Sequence, residues 1–183
     1  MLTVAVVCVE GGDYGAEHVA RIARLVDKHL SQPFMFHVIY DSPWPGFWAK
    51  VELFKPGRFT GRVLYIDLDT TPVGPLDDLA DFDAPFVAID DWHRPGLNSS
   101  VMAWDAGHCD HIWERFNGPC HTHGDQGWIT ECMPDAATFP RGQCISYKRR
   151  KRSLLPGAPF VAGDMRVVVH HGKPRPWEVD DVE

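Results

Sequence analysis

The segment Arg62-Val63-Leu64-Tyr65-Ile66-Asp67-Leu68-Asp69 constrains the fold more than any other stretch of the chain. Val63 to Ile66 are apolar at every position, so an extended chain here has no polar face and needs cover on both sides. A central strand of a largely parallel sheet has that cover. The run then meets Asp67 and Asp69, carboxylates that a dry core does not accept unpaired. Burial gives way to charge at Asp67, as expected where a core strand emerges into a polar site.

Neighbouring segments supply the rest of such a sheet. Thr3 to Val9 is apolar and rich in β-branched residues, and Glu10-Gly11-Gly12-Asp13 after it reads as a turn. From Ala16 to Leu30, Val19, Ile22, Ala23, Val26 and Leu30 recur at helical spacing and define one apolar face. Phe34 to Tyr40 is predicted as a second strand. A strand, a helix and a strand form a βαβ unit, which brings Asp13 and Tyr14 to the carboxyl edge of the sheet, where ligands commonly bind. Pro43, Pro45 and Gly46 stop the second strand, and a short helix is expected from Phe47 to Phe54. Further strands are expected at Ala84–Ile89, Ser100–Trp104 and Arg166–His170, with a helix near Asp125–Cys132. The pattern predicts an α/β fold with a mixed, mostly parallel sheet flanked by helices and a Rossmann-like nucleotide-binding half. A chain of 183 residues is long enough for one core, so residues 1–183 are expected to form a single domain.

Charge narrows the choice of partners. The chain has 25 acidic and 18 basic residues, a formal charge of -7, which disfavours nucleic acid and anionic membranes as general partners. Lys148-Arg149-Arg150-Lys151-Arg152 is a local exception and reads as a solvated loop that could meet phosphates. No apolar run approaches the roughly 20 residues needed to cross a bilayer, and no basic region of a signal peptide opens the chain. No transmembrane segment and a cytoplasmic location are therefore expected. The 5 cysteines are odd in number and dispersed, which favours reduced thiols. His108, Cys109, His111, Cys120, His121 and His123 are zinc-ligand types, but they lack the paired Cys-x-x-Cys spacing of a structural zinc site.

Asp67 and Asp69 point to one side if the backbone between them stays extended. Two such carboxylates repel unless a cation or protons neutralise them, and an oxygen-rich pair suits magnesium or manganese held jointly with phosphates. The plainer reading is one solvated aspartate and one helix cap.

The order of several segments resembles that of glycosyltransferases related to glycogenin and the lipopolysaccharide galactosyltransferases, family 8-like enzymes. Arg62 to Thr70 is similar to their Asp-x-Asp core, and Gly12-Asp13-Tyr14 to the nucleotide-contacting loop after the first strand. Lys50 resembles the basic residue ahead of the core motif. Asn98-Ser99-Ser100-Val101-Met102 is similar to the Asn-x-Gly-Val segment, with Ser100 at the glycine. Gly124-Asp125-Gln126 resembles the Asp-Gln pair on the donor's other side. His170-His171-Gly172-Lys173-Pro174-Arg175-Pro176-Trp177 is similar to the terminal His-x-x-Gly-x-x-Lys-Pro-Trp motif, with a shortened spacing from histidine to glycine.

The resemblance implies a GT-A fold, a manganese or magnesium ion, and transfer from a nucleotide-sugar donor, a UDP-sugar, to a saccharide or other hydroxyl acceptor, with retention. It implies that Asp13, Tyr14, Lys50, Asp67, Gly172 and Lys173 bind the nucleotide sugar, and that Asp125, Gln126 and Asn98 serve the chemistry. Asp67 and Asp69 are the implied metal ligands together with either His170 or His171. Alternation along the strand puts the two histidines on opposite faces, and His171, beside the glycine turn, is the expected ligand. Trp92 and Trp177 are candidates for stacking on a sugar.

Overall fold

The computed structural model describes residues 1–119 and 121–182, so Cys120 and Glu183 lie outside the described residues. The first strand, β1 (Leu2–Val7), leads through a loop into α1 (Ala16–His29) and returns as β2 (Phe34–Ile39). At the start of α1 the Gly15 N–H donates to His18 Nδ1 at 2.9 Å. Val19, Ile22 and Val26 are buried, so the expected apolar stripe is the face that meets the sheet.

A 3-10 helix, Gly46–Phe54, precedes β3 (Arg62–Ile66), β4 (Thr70–Pro72) and the short helix α2 (Asp77–Ala80). Next come β5 (Phe86–Asp90), β6 (Leu97–Asp105), α3 (Asp110–Glu114) and α4 (Gly124–Cys132). The chain continues through β7 (Ala137–Thr138), β8 (Cys144–Ser146), α5 (Tyr147–Ser153) and β9 (Val167–Val169), and a 3-10 turn at Pro176–Glu178 follows.

Six strands form the main sheet in the order β2-β1-β3-β6-β5-β7. Only β6 runs against the others, pairing antiparallel with β3 and β5. Alternate residues of β3 feed two cores: Leu64 and Ile66 pack with α1, while Val63 and Tyr65 face the 3-10 helix and α4. The strand is covered on both faces, as its unbroken apolar run requires. Arg62 closes its lower end by donating to the carbonyls of Ala80, Phe82 and Ala84 at 2.7 to 2.9 Å.

A second sheet, β4-β9-β8, lies beside the site. Arg21 of α1 anchors it, donating to Thr70 O and Thr71 Oγ1, both at 2.8 Å. The basic run beside this sheet corrects the expectation of a loop, for it is helical. Ser146 caps α5 by accepting the Arg149 N–H at 3.3 Å. Its cations are turned to internal use: Lys148 donates to His171 O, Arg150 to Phe160 O and Lys151 to Asp181. Among the described residues no helix is long and apolar enough to cross a membrane.

Candidate active site

Strand β3 ends at Ile66, and the two carboxylates sit in a tight turn and not in extended chain. Thr70 closes that turn, its N–H and Oγ1 donating to Asp67 O at 3.2 and 2.8 Å. Threonine's side chain competes for the backbone there, which is why the strand geometry expected through Asp69 breaks off. On the other side, the Asp67 N–H donates to Ser100 O at 2.8 Å.

Pairing between β5 and β6 slips at the same level. Ala88 faces Met102, but the next residue, Ile89, faces Asn98, so Ser99, Ser100 and Val101 are looped out of register. The irregularity presents Asn98 and Ser99 to the cleft, a common use of bulges beside active sites. No described non-glycine residue has a positive φ, so Ser100 occupies its glycine-like position without left-handed strain.

Lys50, buried on the 3-10 helix, binds this floor together. Its Nζ lies 3.1 Å from Asp67 Oδ1 and 3.1 Å from Asp125 Oδ2, and it donates to Ser99 Oγ at 3.1 Å. Ser99 Oγ donates in turn to Asp125 Oδ2 at 2.8 Å. Burial works against the ammonium, but Asp125 and Asp67 outweigh it and hold the Lys50 pKa above its usual range. Burial pushes the Asp67 carboxyl up; Lys50 draws it down, and Asp69 adds to the upward shift. Tyr65 donates its hydroxyl to Asp67 from below. Asp125 is therefore held by an ion pair. It does not cap α4, whose cap position is His123.

Two cavities meet on this floor. One, of about 430 Å³, runs along the loop after β1 and is lined by Cys8, Gly12, Asp13 and Tyr14. The other, of about 460 Å³, is lined by Asn98, Ser99, Asp125, Gln126, His171 and Gly172. Phe47, Lys50, Asp67 and Asp69 belong to both. Gln126 and Asn98 are joined on the second side, Asn98 Nδ2 donating to Gln126 Oε1 at 3.2 Å.

The carboxyl-terminal segment forms the remaining wall and departs from the sequence expectation at two positions. Lys173 points outward with a side chain 84% exposed, its Nζ 3.9 Å from Glu178. Arg175 enters instead, donating to Asp69 Oδ2 and to Tyr14 Oη at 2.5 Å each and reaching Asp13 Oδ2 at 3.4 Å. The missed signal lies in the motif's own spacing: counting forward three residues from Gly172 or back from Pro176-Trp177 puts the cation at Arg175. Gly172 has φ +86°, which lets the chain turn where a side chain would be strained.

The two histidines lie in different surroundings. His171 lies on the second cavity with its ring 5.7 Å from that of Trp92, and its Nε2 is engaged by Ser146 Oγ at 2.6 Å. His170 is fully buried and carries its backbone N–H to Asp69 O at 3.1 Å. Its Nδ1 lies 3.2 Å from Pro174 O, a partner that only accepts, so the proton sits on Nδ1. Nε2 is left with a free lone pair, buried and without a partner. Burial lowers the His170 pKa and so favours the neutral imidazole that ligates metals. His170 is tied to the turn of the two carboxylates by its backbone N–H, and two carboxylates with an imidazole nitrogen are a donor set of the kind a divalent ion takes. Asp69 is meanwhile engaged by Arg175, and among the described residues no three such side chains already converge.

Comparison with solved structures decides the fold. The galactosyltransferase LgtC, solved with donor and acceptor sugar analogues, superposes with a TM-score of 0.71 at 12% identity, covering 98% of this chain and 90% of that one. The chain has the GT-A fold. A glycosyltransferase involved in glycosylation of the major capsid of PBCV-1 matches with a TM-score of 0.65 at 13% identity, over 97% of this chain and 96% of that one. Glycosyltransferase GlyE of Streptococcus pneumoniae gives 0.65 at 14% identity, with this chain spanning 55% of its length. No protein-family model and no curated protein sequence matches the chain. Within the GT-A fold, the cleft described above lies where the carboxyl ends of β1, β3 and β5 open, the edge at which α/β sheets bind ligands.

Proposed function

We propose that this protein is a metal-dependent glycosyltransferase that moves a sugar from a UDP-sugar to a hydroxyl acceptor with retention of configuration. The observation that carries the reading is the pair of cavities sharing Lys50, Asp67 and Asp69. A nucleotide sugar has two unlike ends joined by a diphosphate, and the shared carboxylates fall at the join.

The nucleoside end belongs beside Asp13 and Tyr14, and the sugar end beside Asn98, Asp125 and Gln126. Asp67, Asp69 and His170 would hold a manganese or magnesium ion, which offsets charge building on the departing diphosphate. His170 is preferred to His171 because its Nε2 is the unpartnered one. Arg175 gives up its hold on Asp69 and binds the phosphates as a planar fork, the role expected earlier for Lys173. Gly172 lets the backbone come close to them. Lys50 keeps Asp67 and Asp125 apart as a fixed positive charge, so neither moves when charge develops. Asp125, held in place by Lys50 and Ser99, faces the positive charge that grows on the sugar as its bond breaks. Asn98 and Gln126, already bonded to each other, orient the sugar hydroxyls.

A screen of nucleotide sugars with manganese, read by thermal shift and then by release of UDP to water or sugar acceptors, tests this reading. A stabilising UDP-sugar whose cleavage releases UDP is the expected result. Stabilisation without any turnover would make the protein a nucleotide-sugar binder, and no stabilisation by any nucleotide sugar would remove the reading altogether.

A further inference from the structure

The sugar-side cavity holds a guanidinium whose one ion pair among the described residues is a long contact without a hydrogen bond. Arg94 lines that cavity from the turn between β5 and β6, with a side chain 41% exposed. Its nearest acid is Asp91, with Arg94 Nε 3.8 Å from Asp91 Oδ2, beyond hydrogen-bond reach. Asp91 is already occupied: Oδ1 accepts the N–H groups of His93 and Arg94 at 2.6 and 3.3 Å, and Oδ2 accepts from Gln126. The cavity's other permanent cation, Lys50, is bound to Asp67, Asp125 and Ser99. Among the described residues lining this cavity, Arg94 is the permanent cation left without a hydrogen-bonded partner.

The turn that carries it is held firmly. Leu97 N–H donates to Thr130 Oγ1 at 3.0 Å, and Thr130 Oγ1 donates to Gln126 O at 2.8 Å, pinning the turn to α4. Gly96 has φ +118°, and a Cβ there would stand 2.9 Å from Thr130 Cγ2, so the chain closes on the helix only with glycine. Arg94 is thus presented on a rigid mount beside Gln126, which reduces the ordering cost of using it.

Resting on the reading above, we propose that Arg94 recognises a carboxylate on the sugar bound in this cavity, so that the substrate class is a hexuronate and not a neutral hexose. A planar guanidinium with free donors matches a carboxylate through paired hydrogen bonds, which a neutral hydroxymethyl group cannot accept as an anion does. The carboxylate can belong to the donor's sugar or to the acceptor.

Titration calorimetry in manganese separates the two sources. One arm compares UDP-glucuronate and UDP-galacturonate with UDP-glucose and UDP-galactose; the other compares free hexuronates with free hexoses in the presence of UDP. In one arm the wild type is expected to favour the uronate about tenfold, the scale of one charge-assisted hydrogen-bond pair. Arg94→Gln is expected to erase that ratio. Equal affinities in both arms, or a preference that survives in Arg94→Gln, would overturn the inference. UDP binding without any uronate preference would leave the transferase reading standing, whereas absence of UDP binding would sink both.

Discussion

Lys50, Asp67 and Asp125 reach one another from a helix, a strand end and a second helix, and they form the floor of the cleft against the second core. Arg175 reaches Asp69 and Asp13, at the edge of that floor, from a chain end held beyond His170 by side-chain contacts. Its neighbour Trp177, 43% exposed, rests against the rings of His18 and Tyr14. The first arrangement is rigid because breaking it strands buried charge; the second can be exchanged for a ligand because water can replace each contact. A cleft built this way has a fixed floor and a wall that responds to what is bound.

The comparison breaks first at Lys50. Lys50→Met leaves Asp67 and Asp125 buried face to face, and the unfolding free energy is expected to drop by about 3 kcal/mol, the usual cost of removing one partner of a buried pair. Turnover should fall more than about a hundredfold with it. Denaturant unfolding unchanged from wild type would show that the floor is not held by this cation.

Asp69 belongs to both sides. Asp69→Asn keeps the size and removes the charge, so a roughly hundredfold loss of turnover is expected with little change in unfolding midpoint. Wild-type turnover in that variant would take Asp69 out of the site. The smallest effect falls on the wall: Arg175→Ala should weaken UDP about tenfold and leave uridine alone, because only UDP carries phosphates. Lys173→Ala, on an outward side chain, should change neither affinity. If uridine and UDP weaken together, Arg175 supports the fold and not the phosphates.

The same division marks what the residues alone disclosed. Strands β1, β3 and β6 and helix α1 were legible because their apolar periods match the faces they bury, and Asp67 follows from the end of β3. Lys50, Asp125 and Gln126 were legible only through the order of motifs that resembles the glycosyltransferases. The turn at Asp67 was not, because a single threonine hydroxyl ended an otherwise good strand pattern. Helix α5 was hidden by its charge: a run of cations reads as solvated unless the carbonyls and Asp181 that receive it are known. Arg175 was passed over, and His170 stood only as the alternative to His171, for a related reason. Past the last strand no periodicity fixes direction, so which of two neighbouring cations or two neighbouring imidazoles turns inward depends on the path of the backbone. The looped-out Ser99–Val101 segment likewise depends on the register in which β5 pairs with β6, which the apolar pattern of neither strand fixes.

The most direct test of the account is a calorimetric titration of UDP into the protein in manganese and again in chelator. Asp67 and Asp69 facing a diphosphate without a cation place like charges together, so UDP affinity is expected to fall at least about tenfold when the ion is withdrawn. His170→Ala should blunt the manganese response, while His171→Ala, whose Nε2 is engaged by Ser146, should keep it. Equal UDP affinity in manganese and in chelator would contradict the claim that this carboxylate pair is a metal-assisted diphosphate site.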